Sequence, residues 1–137
     1  MMKNNAPIGV FDSGVGGLTV AREIMRQMPE ESIVYFGDTA RVPYGSKSKD
    51  TIIGFSRQIV KFLQTKHVKA IVIACNTASA FALKTIQEEV SIPVIGVIKP
   101  GAKVASEATK NGKIGVIGTI GTVKYRRSIL YKNLCST

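Results

Sequence analysis

The chain has 137 residues, of which 45% are hydrophobic, and this is typical of one globular domain with a substantial core. No apolar run approaches the ~20 residues of a membrane-spanning helix, and the first residues lack the apolar segment of a signal peptide, so we expect a cytoplasmic protein without a membrane partner. The formal net charge is +10, and such a balance could serve an anionic partner or only a solvated surface.

Five short runs rich in valine and isoleucine follow one another along the chain, and each has the composition of a fully buried strand. The predicted strands are Ile8–Phe11, Ser32–Phe36, Ala70–Ala74, Val94–Ile98 and Lys113–Ile117. Amphipathic stretches separate them. The predicted helices run from Leu18 to Met28, from Asp50 to Leu63, from just after Cys75 up to Ile92-Pro93, and from Pro100 to about Asn111.

Local residues support these helix boundaries. Pro29 ends the first helix, and Asp50 is the predicted N-cap of the second. The alternation of strands and helices predicts an α/β fold: an open, mostly parallel, doubly wound sheet with helices on both faces.

The basic residues are dispersed. Single lysines are spread along the chain, for example Lys47, Lys61, Lys69, Lys84, Lys103, Lys113 and Lys124. The pair Arg126-Arg127 is the exception to this spacing. No Arg-rich helix and no interleaving of basic and aromatic residues is present in the sequence. We therefore predict a solvated basic surface and no nucleic-acid partner.

Polar or glycine-rich residues follow four of the five predicted strands. The groups are Asp12-Ser13-Gly14-Val15-Gly16-Gly17, Gly37-Asp38-Thr39 with Pro43-Tyr44-Gly45, Cys75-Asn76-Thr77, and Gly118-Thr119 with Thr122. The carboxyl ends of parallel strands meet at one edge of a sheet, so these groups should converge on one crevice. They supply an acid, hydroxyls, an amide and a thiol, with no obvious metal pair.

Cys75 is the most informative of these residues. It lies where a buried strand ends and the next helix begins, and a helix N-terminus favours a thiolate over a thiol. We expect Cys75 to be more reactive than an average cysteine. A lone thiolate beside an acid suits proton transfer or nucleophilic attack. A non-catalytic module that binds carboxylate or phosphate at the same helix termini is the alternative, although such a site has no need of a thiol.

Four segments resemble the glutamate racemases of the aspartate/glutamate racemase superfamily. They are Gly9–Val20, Pro43-Tyr44-Gly45, Ala74-Cys75-Asn76-Thr77-Ala78 and Ile92–Ala102. The resemblance runs from Ile8 to about Val123 and implies a cofactor-independent enzyme that interconverts L- and D-glutamate for peptidoglycan. It also leaves an aspartate racemase as an alternative.

The resemblance implies roles for individual residues. Cys75 would be one of two cysteines that flank the substrate α-carbon, and Asp12 would assist its proton traffic. The substrate-binding positions would be Asp12, Ser13, Tyr44, Gly45, Asn76, Thr77, Thr119 and Thr122. No metal or cofactor is implied, and glutamate is the expected small-molecule partner.

The resemblance also predicts a domain organisation. Residues 1–124 would form one racemase-type domain, and residues 125–137 would form a poorly matching helical or frayed tail. The family's second domain carries the other cysteine in a Gly-Cys-Thr-His run, which this sequence lacks, and Cys135 does not match it. We therefore expect low activity from this chain alone. We also expect self-association through the crevice face, which the second domain would otherwise cover.

Overall fold

The computed structural model describes residues 5–124, and its centre is a four-stranded parallel sheet. The strands are β1 (Ile8–Asp12), β2 (Ile33–Gly37), β3 (Ala70–Ile73) and β4 (Val94–Gly96), in the order β2-β1-β3-β4. Ile8 of β1 pairs with Ile33 on one side and with Ala70 on the other. β1 and β3 are therefore the inner strands, and the residues that follow them are neighbours at the carboxyl edge.

Helices connect the strands. They are α1 (Leu18–Gln27), α2 (Lys49–Gln64), α3 (Asn76–Phe81), α4 (Leu83–Glu89) and α5 (Ile98–Ala108), with a short 3₁₀ turn at Thr39–Arg41. Residues 120–124 are also helical. Among the described residues, no helix combines the length and the apolar character that crossing a bilayer requires.

The inner strands bury side chains on both faces because successive residues of a strand point to opposite sides. Ile8 and Val10 of β1 lie in a cluster with Ala21 of α1. Phe11 of the same strand lies in the larger cluster on the other face, together with buried residues of α2 such as Leu63. The predicted α/β fold with a parallel sheet and helices on both faces is confirmed.

The prediction of a fifth strand at Lys113–Ile117 is wrong. This segment forms no strand, and none of the described strands pairs with it. The side chain of Ile117 is fully exposed. A valine- and isoleucine-rich run becomes a strand only where a neighbouring backbone satisfies its N–H and C=O groups, and β4 does not serve as that neighbour here.

Three helix boundaries also differ from the prediction. The N-cap of α2 is Ser48, whose hydroxyl accepts a hydrogen bond from the Thr51 backbone N–H at 3.2 Å, whereas Asp50 lies inside the first turn. α5 begins at Ile98, and Pro100 falls within its first turn, where an N–H has no partner within the helix. The third helix divides into α3 and α4 at Ala82.

Residues 125–137, including Arg126-Arg127 and Cys135, lie outside the described residues. The predicted tail and the domain boundary at residue 124 therefore stay predictions.

Candidate active site

A cavity of about 490 Å³ opens where β1 and β3 end. It is lined by seven of the nine residues that the sequence predicts for the site. These are Asp12, Ser13, Cys75, Asn76, Thr77, Thr119 and Thr122. Tyr44 and Gly45 do not line it. The carboxyl edge of the sheet thus brings together groups from three separate segments of the chain.

Asp12 is the last residue of β1, and the residue as a whole is buried, with 5% of its surface exposed. Oδ2 accepts a hydrogen bond from the backbone N–H of Gly17 at 2.8 Å. Gly17 is the N-cap of α1, so an unpaired N–H at the helix start holds the carboxylate. A methyl group at Gly17 would lie 2.6 Å from Cβ of Asp12, and only glycine fits this approach.

Cys75 lies two residues after the end of β3 and is the N-cap of α3. Its side chain is buried, with 6% of its surface exposed. Sγ accepts from the Ala78 backbone N–H at 3.4 Å, and the thiol donates to Oγ of Ser13 at 3.4 Å. The predicted position of Cys75, at a strand end and a helix start, is observed.

Ser13 connects the thiol to the acid. Its hydroxyl accepts from Cys75 and donates to Oδ1 of Asp12 over a long contact of 3.5 Å. A hydroxyl that accepts one proton while it gives up its own can carry a proton between its neighbours. The arrangement therefore offers a route from the Cys75 sulfur to the Asp12 carboxylate.

Three threonines form another part of the wall. Oγ1 of Thr119 lies 3.1 Å from Oγ1 of Thr77 and 3.0 Å from Oγ1 of Thr122. Thr77 and Thr122 are buried. Because Thr77 belongs to α3, this hydroxyl chain ties the segment around residue 119 to the helix that begins at Cys75. Such hydroxyls suit the recognition of a carboxylate.

Tyr44 lies in the core rather than on the cavity wall, with 2% of its surface exposed. Its hydroxyl donates to Oδ2 of Asp38, and that carboxylate also accepts from Nε of Arg41 at 2.7 Å. Burial raises the pKa of the Tyr44 phenol well above its ordinary value, and the Asp38 carboxylate raises that pKa further. Direct substrate binding by Tyr44 stays a prediction.

Gly45 reaches the site through one contact. A methyl group at Gly45 would lie 2.5 Å from Cγ2 of Thr119, so the glycine backbone packs directly against the threonine. The Asp38–Tyr44 pair thereby fixes a loop that supports the cavity wall. Asp38 belongs to one of the predicted strand-end groups, but no role was predicted for it. Nothing in the sequence pattern indicated that Arg41 would share the Asp38 carboxylate with Tyr44.

Sequence reasoning missed several wall residues. They are Thr19, Val20, Ala74, Val97 and Ile117, whereas Gly16 and Gly118 belong to the predicted strand-end groups. Val97 directly follows β4, so the rule that found Cys75 after β3 could have found it as well. Over residues 5–124, no group of three or more His, Cys, Asp or Glu side chains is placed to hold a metal ion.

The amino-acid sequence of this site matches a known family. Residues 8–129 match the family model of the Asp/Glu/Hydantoin racemases. The chain belongs to the Asp/Glu/Hydantoin racemase family. The predicted resemblance to the aspartate/glutamate racemase superfamily is therefore confirmed.

Individual members of this racemase family are closely similar in sequence to the chain. The chain is 60% identical to a glutamate racemase of Lactococcus lactis subsp. cremoris over 111 residues, which are 81% of this chain and 41% of the relative. It is 57% identical to one from Nostoc sp. over 125 residues, which are 90% of this chain and 43% of the relative. The chain thus spans less than half the length of these curated relatives.

Solved structures of glutamate racemases are also similar to this chain, which covers about half of each of them. A glutamate racemase isoform from Bacillus anthracis superimposes with a TM-score of 0.90 at 53% identity, covering 96% of this chain and 50% of that one. The glutamate racemase of Francisella tularensis, solved in complex with D-glutamate, gives 0.82 at 46% identity, with 96% and 48% covered.

Proposed function

We propose that this chain supplies one half of the active site of a glutamate racemase, a cofactor-independent enzyme that interconverts L- and D-glutamate in the cytoplasm for peptidoglycan synthesis. The observation that carries the proposal is the contact series Cys75–Ser13–Asp12 on the wall of a cavity. The identity of 60% to the glutamate racemase of Lactococcus lactis supports it.

The geometry suits removal of a proton from carbon. An amino acid's α-proton is weakly acidic, so its base must be close, oriented and shielded from water. The buried sulfur of Cys75 meets these conditions from one side of the cavity. Ser13 and Asp12 give the sulfur's own proton a place to go, which leaves the sulfur as the base.

The substrate's charges have matching groups. The hydroxyls of Thr77 and Thr119 lie on the wall beside Cys75 and can donate to a carboxylate. Before Asp12 accepts the thiol proton, its buried carboxylate can attract the substrate's ammonium group. Similar proteins have been solved with D-glutamate, in Francisella tularensis, and with L-glutamate, in Escherichia coli. These ligands support glutamate as the substrate.

Inversion also needs a group on the other face of the α-carbon. Among the described residues of the cavity wall, Cys75 is the only thiol and Asp12 is the only carboxylate, and the two are joined through Ser13. Loss of one proton-transfer group costs about 10²–10⁴-fold in rate. We therefore expect the 137-residue polypeptide by itself to racemise glutamate at least that much more slowly than the relatives it matches.

A chimaera tests the proposal. The segment of 111 residues that matches the Lactococcus lactis racemase replaces the equivalent segment of that enzyme. Circular dichroism then follows racemisation of L-glutamate, D-glutamate and L-aspartate. We expect glutamate turnover that the C75A exchange abolishes and that the T65A exchange, outside the cavity, leaves unchanged.

Three results would contradict the proposal. A folded chimaera without turnover would show that this half of the site does not function as proposed. Turnover of aspartate in preference to glutamate would identify the alternative substrate. Glutamate turnover that survives C75A would mean that another residue is the base.

A further inference from the structure

The Tyr35 side chain connects the edge strand β2 to the loop that carries Ser13. Tyr35 is the middle residue of β2, and it is partly buried against the face of the sheet that α1 covers. Its hydroxyl donates to the carbonyl oxygen of Gly14 at 3.3 Å. Gly14 directly follows Ser13, so this bond ends one residue away from the hydroxyl that lies between Cys75 and Asp12.

The Gly14 carbonyl also packs closely against the end of β2. A methyl group at Gly37, the last residue of that strand, would lie only 2.3 Å from this oxygen, so the carbonyl rests directly on the Gly37 backbone. Tyr35 and Gly37 are two residues apart and therefore face the same side of the sheet. Together they fix the position of one peptide group of the loop.

The loop between β1 and α1 needs such a support. Residues 13–17 include glycine at positions 14, 16 and 17, and glycine leaves a backbone more conformations than any other residue. The far end of the loop is held where the Gly17 N–H donates to Asp12 at 2.8 Å. The Tyr35 bond, by contrast, holds the peptide group next to Ser13.

The contacts of Ser13 are long, so a small displacement of the loop changes them. Ser13 Oγ lies 3.4 Å from the Cys75 sulfur and 3.5 Å from Oδ1 of Asp12. Hydrogen bonds between two oxygens are ordinarily ~2.5–3.0 Å, and a movement of about 0.5 Å would either shorten the Ser13–Asp12 contact to that range or break it. The position of Ser13 thus decides whether the thiol and the carboxylate are connected.

Tyr35 can affect this connection only from outside the cavity. It is not among the described residues that line the cavity wall. Burial raises the pKa of its phenol, and the negative charge of Asp12 raises that pKa further. The phenol therefore keeps its proton at neutral pH and remains a hydrogen-bond donor to the Gly14 carbonyl.

We propose that Tyr35 is a positioning residue, which holds Ser13 in place for proton transfer from Cys75. This inference rests on the proposed racemase function. When the S–H bond of Cys75 breaks, Ser13 takes up that proton and passes its own proton to the Asp12 carboxylate. The Ser13 hydroxyl then donates to the sulfur anion, and a charge-assisted bond of this kind stabilises the thiolate. Both steps need Ser13 within reach of its two neighbours.

Alkylation of Cys75 by iodoacetamide tests the proposal on the 137-residue chain without any need for racemase activity. Peptide mapping at neutral pH gives the rate at Cys75 in Y35F, S13A and the double variant. The thiolate is the reacting species, so we expect Y35F to slow alkylation about 3–10-fold, as the loss of one hydrogen bond implies, and S13A to slow it at least as much. In the S13A background, Y35F should add less than about 2-fold, because Tyr35 acts through Ser13.

T65V is the matched control. The exposed hydroxyl of Thr65 also donates to a backbone carbonyl, that of Phe62, at 2.7 Å, and its loss should change Cys75 alkylation by less than about 2-fold. An unchanged or faster rate in Y35F or S13A would overturn the proposal. Equal slowing by Y35F with and without the Ser13 hydroxyl would also overturn it, because Tyr35 would then act on the fold in general.

The chimaera with the Lactococcus lactis racemase separates this inference from the proposed function. There we expect Y35F to lower kcat for glutamate about 3–10-fold and to leave KM within about 2-fold, because Tyr35 holds Ser13 and is not among the described wall residues. A rise in KM with unchanged kcat would place Tyr35 in substrate binding and refute a positioning role. An inactive chimaera without Y35F would count against the proposed function, whereas the alkylation rates would still decide the role of Tyr35.

Discussion

Replacement of Gly17 by alanine should destabilise the fold, although the backbone at this position accepts alanine. The dihedral angles of Gly17 are φ −67° and ψ −10°, which any residue adopts in a helix. On backbone grounds alone, a Gly→Ala exchange at a compatible site stabilises by ~0.4–1 kcal/mol. The space around Gly17 opposes this gain.

The added methyl group would lie 2.6 Å from Cβ of Asp12 and 2.8 Å from Cβ of Ala74. Carbon atoms pack at ~3.5–4.0 Å, so α1 would have to move away from the sheet by about 1 Å. Neither neighbouring Cβ can rotate away, because both are fixed to inner strands or their ends. Overpacking of this kind costs ~1–3 kcal/mol, and the movement also lengthens the Gly17–Asp12 hydrogen bond.

Urea unfolding of the 137-residue chain measures the difference. G54A is the matched control, because a methyl group at Gly54 meets nothing within 4 Å and the residue lies inside α2. G54A should gain ~0.5–1 kcal/mol, whereas G17A should lose ~1–3 kcal/mol, or roughly 1 M in the urea midpoint. A G17A midpoint at or above that of the unmodified chain would refute the steric reasoning.

Three further predictions concern the site and its surroundings. The pKa of Tyr44 is raised in the fold, so the unfolded chain releases the phenol proton first and the free energy of unfolding should fall as pH rises above ~10. The urea midpoint of Y44F should fall less steeply with pH than that of the unmodified chain. Equal slopes would contradict the buried Tyr44–Asp38 pair. D-glutamate should slow alkylation of Cys75 by iodoacetamide without changing that of Cys135, as peptide mapping can measure; equal rates with and without glutamate would argue against substrate in this cavity. Val15 and Ile117 are exposed near the cavity, so light scattering should show self-association that increases with salt and decreases in I117S; a monomer at high salt would contradict an exposed apolar crevice face.

The sequence could identify the inner strands because their burial on both faces leaves a nearly continuous apolar run. Val10 and Phe11 are fully buried on opposite faces of β1, and such a run has few alternatives to a central strand. The same rule failed at Lys113–Ile117, where composition cannot show whether a partner strand is available. The failure is one of pairing, which depends on residues far away in sequence.

The helix boundaries show what local patterns leave open. Ser48 and Asp50 are both good N-cap residues, and only the observed bond from Thr51 to Ser48 decides between them. At Ala82 no proline or glycine marks the division between α3 and α4. The backbone bonds from Ala82 to Ala78 and from Ile86 to Ala82 continue across it, so the division is a local bend that periodicity does not resolve.

The site was more predictable than its supports. Asp12 and Cys75 lie at the carboxyl ends of adjacent strands, and strand order alone brings them to one edge. The role of Tyr44 depends on a buried partner, Asp38, and on the contact between Gly45 and Thr119. Those contacts join segments that lie close together in space, and no local sequence pattern encodes that proximity.

The strand order has a consequence for synthesis on the ribosome. β1 lies between β2, which ends at Gly37, and β3, which begins at Ala70, so one side of β1 lacks its partner until β3 has been made. At ~5–20 residues per second, the interval between these two strands takes roughly 2–7 s. During that time the unpaired side of β1 exposes its backbone and apolar side chains to other nascent chains. Unpaired strand edges of this kind favour wrong pairing with other chains, and β1, the strand that provides Asp12, has such an edge until β3 is made.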